Sequence, residues 1–112
     1  MRAILQRAAD ARVTVGGEVV GSFDGPGIVL LVGVTHGDDD ATVARLADKV
    51  YGLRIFEHRH ASDATCLAPS APREVSARDL ELPVLIVSQF TLYAETSKGR
   101  RPTWDQAAPG SV

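Results

Sequence analysis

The sequence predicts an α+β fold, a mainly antiparallel, barrel-like β-sheet carrying one well-defined helix. Three observations carry that expectation. Segments of strand pattern outnumber helical ones, a glycine pair between two alternating segments marks a hairpin, and only residues 38–53 repeat their apolar side chains at helical spacing. A chain of 112 residues is one domain, 1–112, able to bury roughly two thirds of its unfolded surface.

The elements follow in order. Ala3–Arg7 is a short mixed strand. Arg12-Val13-Thr14-Val15 alternates polar and apolar, Gly16-Gly17 supplies the left-handed backbone of a two-residue turn, and Glu18-Val19-Val20 resumes the alternation. Asp24-Gly25-Pro26-Gly27 has turn chemistry, and Ile28–Val32 follows without alternation, as a central strand buried on both faces does. Asp38, Asp39 and Asp40 can cap a helix whose buried stripe is Val43, Leu46, Ala47, Val50 and Leu53. Leu53–Phe56 reads as a further strand.

From Glu57 to Pro83 no period is sustained, and three of the six prolines fall there. The expectation is an irregular excursion with one short helical turn at Ser76–Leu80. Val84–Phe90 restores a buried strand, Ala94–Thr103 is polar and basic, and Trp104–Ala108 begins a helix that Pro109-Gly110 breaks.

Composition excludes several classes. At 45% hydrophobic and 23% charged residues the chain is neither disordered nor fibrous, and no apolar run reaches the roughly 20 residues of a membrane helix. The N-terminal segment lacks a secretory apolar core, and the lone Cys66 forms no internal disulfide, so the expected compartment is the cytoplasm. A net charge of -2 provides no global pull on nucleic acid, so any such contact falls to a local patch.

That patch is Lys98-Gly99-Arg100-Arg101. Residues 94–104 carry three positive charges and one negative, with Tyr93 and Trp104 flanking them as stacking surfaces. A solvated loop and a phosphate-binding loop are both open readings. At Ser88-Gln89-Phe90-Thr91-Leu92 the strand turns from apolar to polar, with Leu85, Val87, Gln89 and Thr91 expected on one face. Emergence into solvent and presentation of donors to a ligand both fit, and Thr91 has no local base to make it a nucleophile. His58 and His60 lack a third ligand at metal spacing, His36 suits packing or capping, and Cys66 lacks a catalytic histidine pattern. No metal and no cofactor is expected.

Three stretches together resemble the D-aminoacyl-tRNA deacylases, also called D-tyrosyl-tRNA deacylases. They are Met1–Arg7; Gly27–Val34 with Leu53-Arg54-Ile55-Phe56; and Ser88–Ala94 with Lys98-Gly99-Arg100-Arg101-Pro102. The likeness covers most of 1–56 and 84–109, with 57–83 divergent. It implies a deacylase-type fold and a homodimeric hydrolase that cleaves D-amino acids from the 3′ end of aminoacyl-tRNA, a chiral proofreading step in translation, with no DNA or membrane partner. It also implies that Gln89, Phe90 and Thr91 are catalytic, through backbone amides at Phe90 and Thr91 or a Thr91 nucleophile. Ser88 and Leu92 would border the substrate, Arg7 would support the chirality-filtering loop, and Lys98, Arg100 and Arg101 would meet tRNA phosphates. The family's cis Gly-Pro motif, and the helix and strands around it, would lie beyond Pro109-Gly110-Ser111-Val112, so the expectation is a C-terminally incomplete member. The alternatives are a non-catalytic module binding tRNA ends and a truncated, inactive relative.

Overall fold

A computed structural model describes residues 1–60 and 74–110, with the side chain of His58 also outside the description. Cys66 and about half of the divergent segment, residues 61–73, fall outside the described residues. Strand β1 (Arg2–Val15) and strand β2 (Glu18–Gly33) form a long antiparallel hairpin. Its turn is the expected one: Val15 pairs with Glu18, and Gly16 and Gly17 both adopt positive φ, +58° and +84°.

The two short strands expected on each side of the hairpin are single long ones, and Asp24-Gly25-Pro26-Gly27 is no turn. Ala9 pairs with Pro26 and Ala11 with Phe23, so Asp24 and Gly25 oppose Asp10 alone in a β-bulge. Asp10 takes a left-handed φ of 62°, and its carboxylate accepts the Gly25 amide at 2.6 Å. The glycine and proline are thus spent on bending the strand.

Helix α1 (Asp40–Gly52) follows β2. The aspartate triplet divides its work. Asp39 is the N-cap, accepting the Thr42 amide at 2.9 Å, and Asp40 sits in the first turn, whereas Asp38 turns away to a different partner. Strands β3 (Phe56–Glu57) and β4 (Glu74–Val75) pair as a small separate sheet, so the strand expected at Leu53–Phe56 is confined to its end. Helix α2 (Ala77–Leu80) sits where the helical turn was expected, closed by a reciprocal Ser76/Asp79 capping box. Strand β5 (Val84–Ser88) then joins β2 in parallel, making β2 the centre of a β1-β2-β5 sheet.

Among the described residues the sheet is open, and no closed barrel is formed. Three strands leave β1 and β5 each with an outer edge unpaired among the described residues, and a barrel requires every edge to be paired. The core gathers Ile28, Leu30, Val50, Phe56, Leu80 and Leu82. Val29 and Leu31 are only half-buried, so β2 is covered on one face rather than two. Likewise β5 is not the buried strand its composition suggests. Ile86 is 65% exposed on the rim of an apolar groove of about 530 Å³ between α1 and the sheet, and Val43 is exposed across from it. Trp104–Ala108 forms no helix. Its ends are tied instead by bridges, Thr103 to Glu95 and Ala107 to Thr35.

Candidate active site

β5 ends because the backbone closes on itself. Gln89 donates its amide to Val32 O at 2.7 Å, the last bond to the sheet, and Phe90–Tyr93 then winds into a 3-10 turn. Leu92 donates to Gln89 O and Ala94 to Thr91 O. The first donors of such a turn, the Phe90 and Thr91 amides, have no carbonyl within it. The Gln89 side chain does not cap them, and no other acceptor takes them among the described residues. The turn also breaks the alternation, so Thr91 does not continue the face of Leu85 and Val87.

The neighbouring wall of the site is the segment 103–110. Ala108 donates to Val34 O at 2.8 Å, and Thr35 Oγ1 donates to Gln106 O. His36 Nε2 lies 2.9 Å from Asp105 O. Between the turn and this segment lies a cavity of about 420 Å³ lined by Ser88, Phe90, Trp104, Ala107 and Ala108 among others. The rings of Phe90 and Trp104 meet edge to face, 5.8 Å apart at 64°. Both remain substantially exposed, so apolar aromatic surface stands beside two unspent amides. Such aromatic surface can hold a planar ring, and unspent N–H groups are the kind of donor that stabilises a developing negative oxygen.

Of the five expected residues Ser88 and Phe90 line this cavity, while Gln89, Thr91 and Leu92 belong to the adjoining turn without lining it. Lys98, Arg100 and Arg101 lie on the exposed loop above, whose base is closed by paired bonds between Glu95 and Thr103 at 2.7 and 2.9 Å. None of the three is in an ion pair among the described residues. Glu95, the one acid of the loop, is held below the usual carboxylate range by the Ser97 hydroxyl and amide. Its charge thus persists and folds the loop.

Arg7 is placed elsewhere. It pairs with Ile28 while Arg2 pairs with Gly33 at the site end, a separation of about 17 Å along the strand. Its guanidinium donates to Ile55 O at 2.9 Å. Arg2 is the arginine at the site: it donates to Leu92 O at 3.0 Å and lies 4.5 Å over the Tyr93 ring. Nothing in the local sequence distinguishes Arg2. Only the hairpin register carries it there. Tyr93, expected as a stacking surface, is buried at 6% exposure; burial first, then the nearby Asp38 charge, raises its phenol above the ordinary range. Phe90 takes its place beside Trp104.

Of the paired histidines His58 and His60, only the His60 side chain is described. His60 Nδ1 accepts the Glu57 amide at 2.9 Å and its ring abuts Phe56, and burial holds its pKa below the ordinary value. No cluster of three ligating side chains occurs among the described residues.

Comparison with known proteins places this geometry. The family model described as D-Tyr-tRNA(Tyr) deacylase matches residues 4–112. The chain belongs to the D-aminoacyl-tRNA deacylase family. It is similar to proteins named D-aminoacyl-tRNA deacylase from Nocardia farcinica and Kineococcus radiotolerans, each 54% identical over the whole chain and 69% of the relative. That from Mycobacterium tuberculosis is 47% identical over the same shares. Among solved structures, the c-Myc DNA Unwinding Element Binding Protein superposes with a TM-score of 0.77 at 34% identity, covering 97% of this chain and 66% of that one. The chain thus spans about two thirds of the length of these family members. The deacylase likeness runs through the Ser88–Leu92 turn and the 103–110 wall alike, and no helix among the described residues is long and apolar enough to cross a membrane.

Proposed function

We propose that the protein hydrolyses the ester bond of D-aminoacyl-tRNA, releasing the free D-amino acid and tRNA as a quality-control step of translation. One observation carries this reading: the Phe90 and Thr91 amides are unspent at the head of a fixed turn beside the aromatic cleft. The family membership names the substrate class.

In the proposed reaction the ester carbonyl lies against those amides, which stabilise the oxyanion of the tetrahedral intermediate without reorganising. The Phe90 and Trp104 rings receive the terminal base, and Ser88, Gln89 and Leu92 border the substrate. Thr91 Oγ1 has neither a histidine nor a carboxylate partner among the described residues, so it lacks the base that a hydroxyl nucleophile requires. A water activated with help from the 2′-hydroxyl of the RNA supplies the attack. Its proton leaves with the departing ribose oxygen, which regenerates the hydroxyl. Lys98, Arg100 and Arg101 meet backbone phosphates. Two copies associate through the outer sheet face, where Ile4 is 52% exposed, and the protein works in the cytoplasm.

The test is ester loss from matched D- and L-aminoacyl-tRNA. Hydrolysis of the D-ester well above the uncatalysed rate, with the L-ester spared, is expected. Equal background loss of both would refute the activity.

A further inference from the structure

Asp38 belongs to the helix-capping triplet by sequence but does not cap. The Met1 α-amino group donates to it, 3.0 Å from Oδ1 and 2.9 Å from Oδ2, and the two side chains are 7% and 10% exposed. Oδ2 also accepts the Thr35 amide at 2.8 Å, while the Asp38 amide donates back to Thr35 O at 3.3 Å. The carboxylate therefore closes the turn 35–38 on itself and tethers it to the first residue of the chain, next to β1. That turn carries the cleft wall. Thr35 holds Gln106 and bridges Ala107, His36 reaches Asp105 O, and Val34 O takes the Ala108 amide.

We infer that Asp38 is a positioning residue for the cleft, using the Met1 ammonium to hold the turn on which the Trp104–Ala108 wall is hung. The physical case is one of geometry. An ammonium shared between both carboxylate oxygens in a nearly buried site is a charge-assisted clamp with little rotational freedom. The wall has no helix of its own to keep it in place, so its bonds to residues 34–36, together with the Thr103–Glu95 pair at its other end, set where Trp104 stands relative to Phe90. Removing the ammonium charge leaves the carboxylate short of a partner, and the turn must rearrange to find one.

The inference rests on the reading of the cleft as the active site, but its test has a readout independent of turnover. Trp104 is the sole tryptophan, so its emission and its quenching by acrylamide report the wall directly. Three forms are compared with the unmodified protein: Nα-acetylated protein, Asp38→Asn and Asp38→Glu. The expected result is a change in Trp104 quenching of about twofold or more for the acetylated and Asn forms, with far-UV circular dichroism retained and partial recovery in the Glu form. KM for D-aminoacyl-tRNA should rise in the same two forms on the order of tenfold, since a displacement of about 1 Å at a positioning group carries effects of that size or larger. If Asp38→Asn unfolds, the acetylated protein, which keeps every side chain, decides. Unchanged Trp104 quenching in folded acetylated protein would overturn the inference. Absence of deacylation in the unmodified protein would instead sink the functional reading and leave the Trp104 result standing.

Discussion

Gly33 lies directly against Leu92: a β-carbon built on it would stand 3.0 Å from Leu92 Cβ, with Gln89 O and Tyr93 Cδ2 each at 3.1 Å. The end of β2 therefore touches the backbone of the 3-10 turn with no room between them. Gly33→Ala should push the turn outward and misplace the Phe90 and Thr91 amides. Overpacking of this kind costs about 1–3 kcal/mol of stability. The effect on D-ester hydrolysis should be larger, about 100-fold in kcat, because each misplaced oxyanion donor costs that much or more. Thermal melts alongside single-turnover rates check it; equal losses in stability and rate would mark Gly33 as a packing position only.

Phe90 and Trp104 divide binding from chemistry. The rings touch each other and remain open to a ligand, whereas the Phe90 amide belongs to the backbone and survives truncation of the ring. Base stacking on an aromatic is worth about 1–3 kcal/mol, so Phe90→Ala and Trp104→Ala should each raise KM by roughly 5- to 150-fold with a much smaller change in kcat. Steady-state kinetics on D-aminoacyl-tRNA make the comparison.

The capping box sets part of the acid limit of stability. Ser76 is 4% exposed, and its hydroxyl accepts the Asp79 amide at 3.1 Å while Asp79 accepts the Ser76 amide at 2.9 Å. The Ser76 amide, then its hydroxyl, holds the Asp79 carboxyl below the usual carboxylate range, as the Thr42 amide does for Asp39. A depressed folded pKa stabilises above the unfolded value and is lost as pH falls through the folded one. Stability should therefore be flat near neutrality and decline below about pH 4. Ser76→Ala should cost about 0.5–2 kcal/mol at neutral pH and make the decline shallower. Denaturant titrations at pH 7 and pH 3 check both statements.

The hairpin turn, the central strand, α1 and even the single turn of α2 were legible because each is written in local chemistry: a glycine pair, an apolar run, an Asp cap, a Ser-x-x-Asp box. What stayed hidden depends on interactions across the chain. The Asp10 bulge converts a Gly-Pro turn signal into continuous strand because one carboxylate satisfies the Gly25 amide from the opposite strand. Trp104–Ala108 has helical composition, yet Thr35 and Val34 take its backbone bonds and keep it out of a helix. In the candidate site, Ser88–Leu92 was singled out by its polar strand tip and by family likeness, and the structure adds that it closes into a 3-10 turn. Arg2 and Asp38 could not, since their roles follow from register and from a turn that folds back on the first residue.

The loop 95–103 carries three cations without ion-pair partners among the described residues on a protein of net charge -2. Its contribution should be electrostatic and insensitive to sequence. Replacing Lys98, Arg100 and Arg101 together with Ala should leave the fold intact and reduce the slope of log affinity against log salt by about 2, near 0.7 for each single-strand phosphate that a cation no longer neutralises. Binding of tRNA measured between low and physiological salt checks it, and an unchanged slope would leave the loop a solvated surface.

Thr91 separates two chemistries. As a nucleophile its hydroxyl would form an acyl-enzyme, and Thr91→Ala would abolish turnover. As a backbone donor it contributes an N–H that alanine retains, so the same substitution should keep most of the rate, with a loss of less than about tenfold. The structure favours the second outcome, because the Thr91 side chain is exposed and no base is hydrogen-bonded to it among the described residues, whereas its amide heads the turn. A substrate whose terminal ribose lacks the 2′-hydroxyl supplies the complementary measurement. If RNA helps activate the water, that substrate should be hydrolysed far more slowly by wild-type and Thr91→Ala protein alike. A threonine-dependent enzyme would show the reverse pattern, keeping the deoxy substrate and losing the alanine variant.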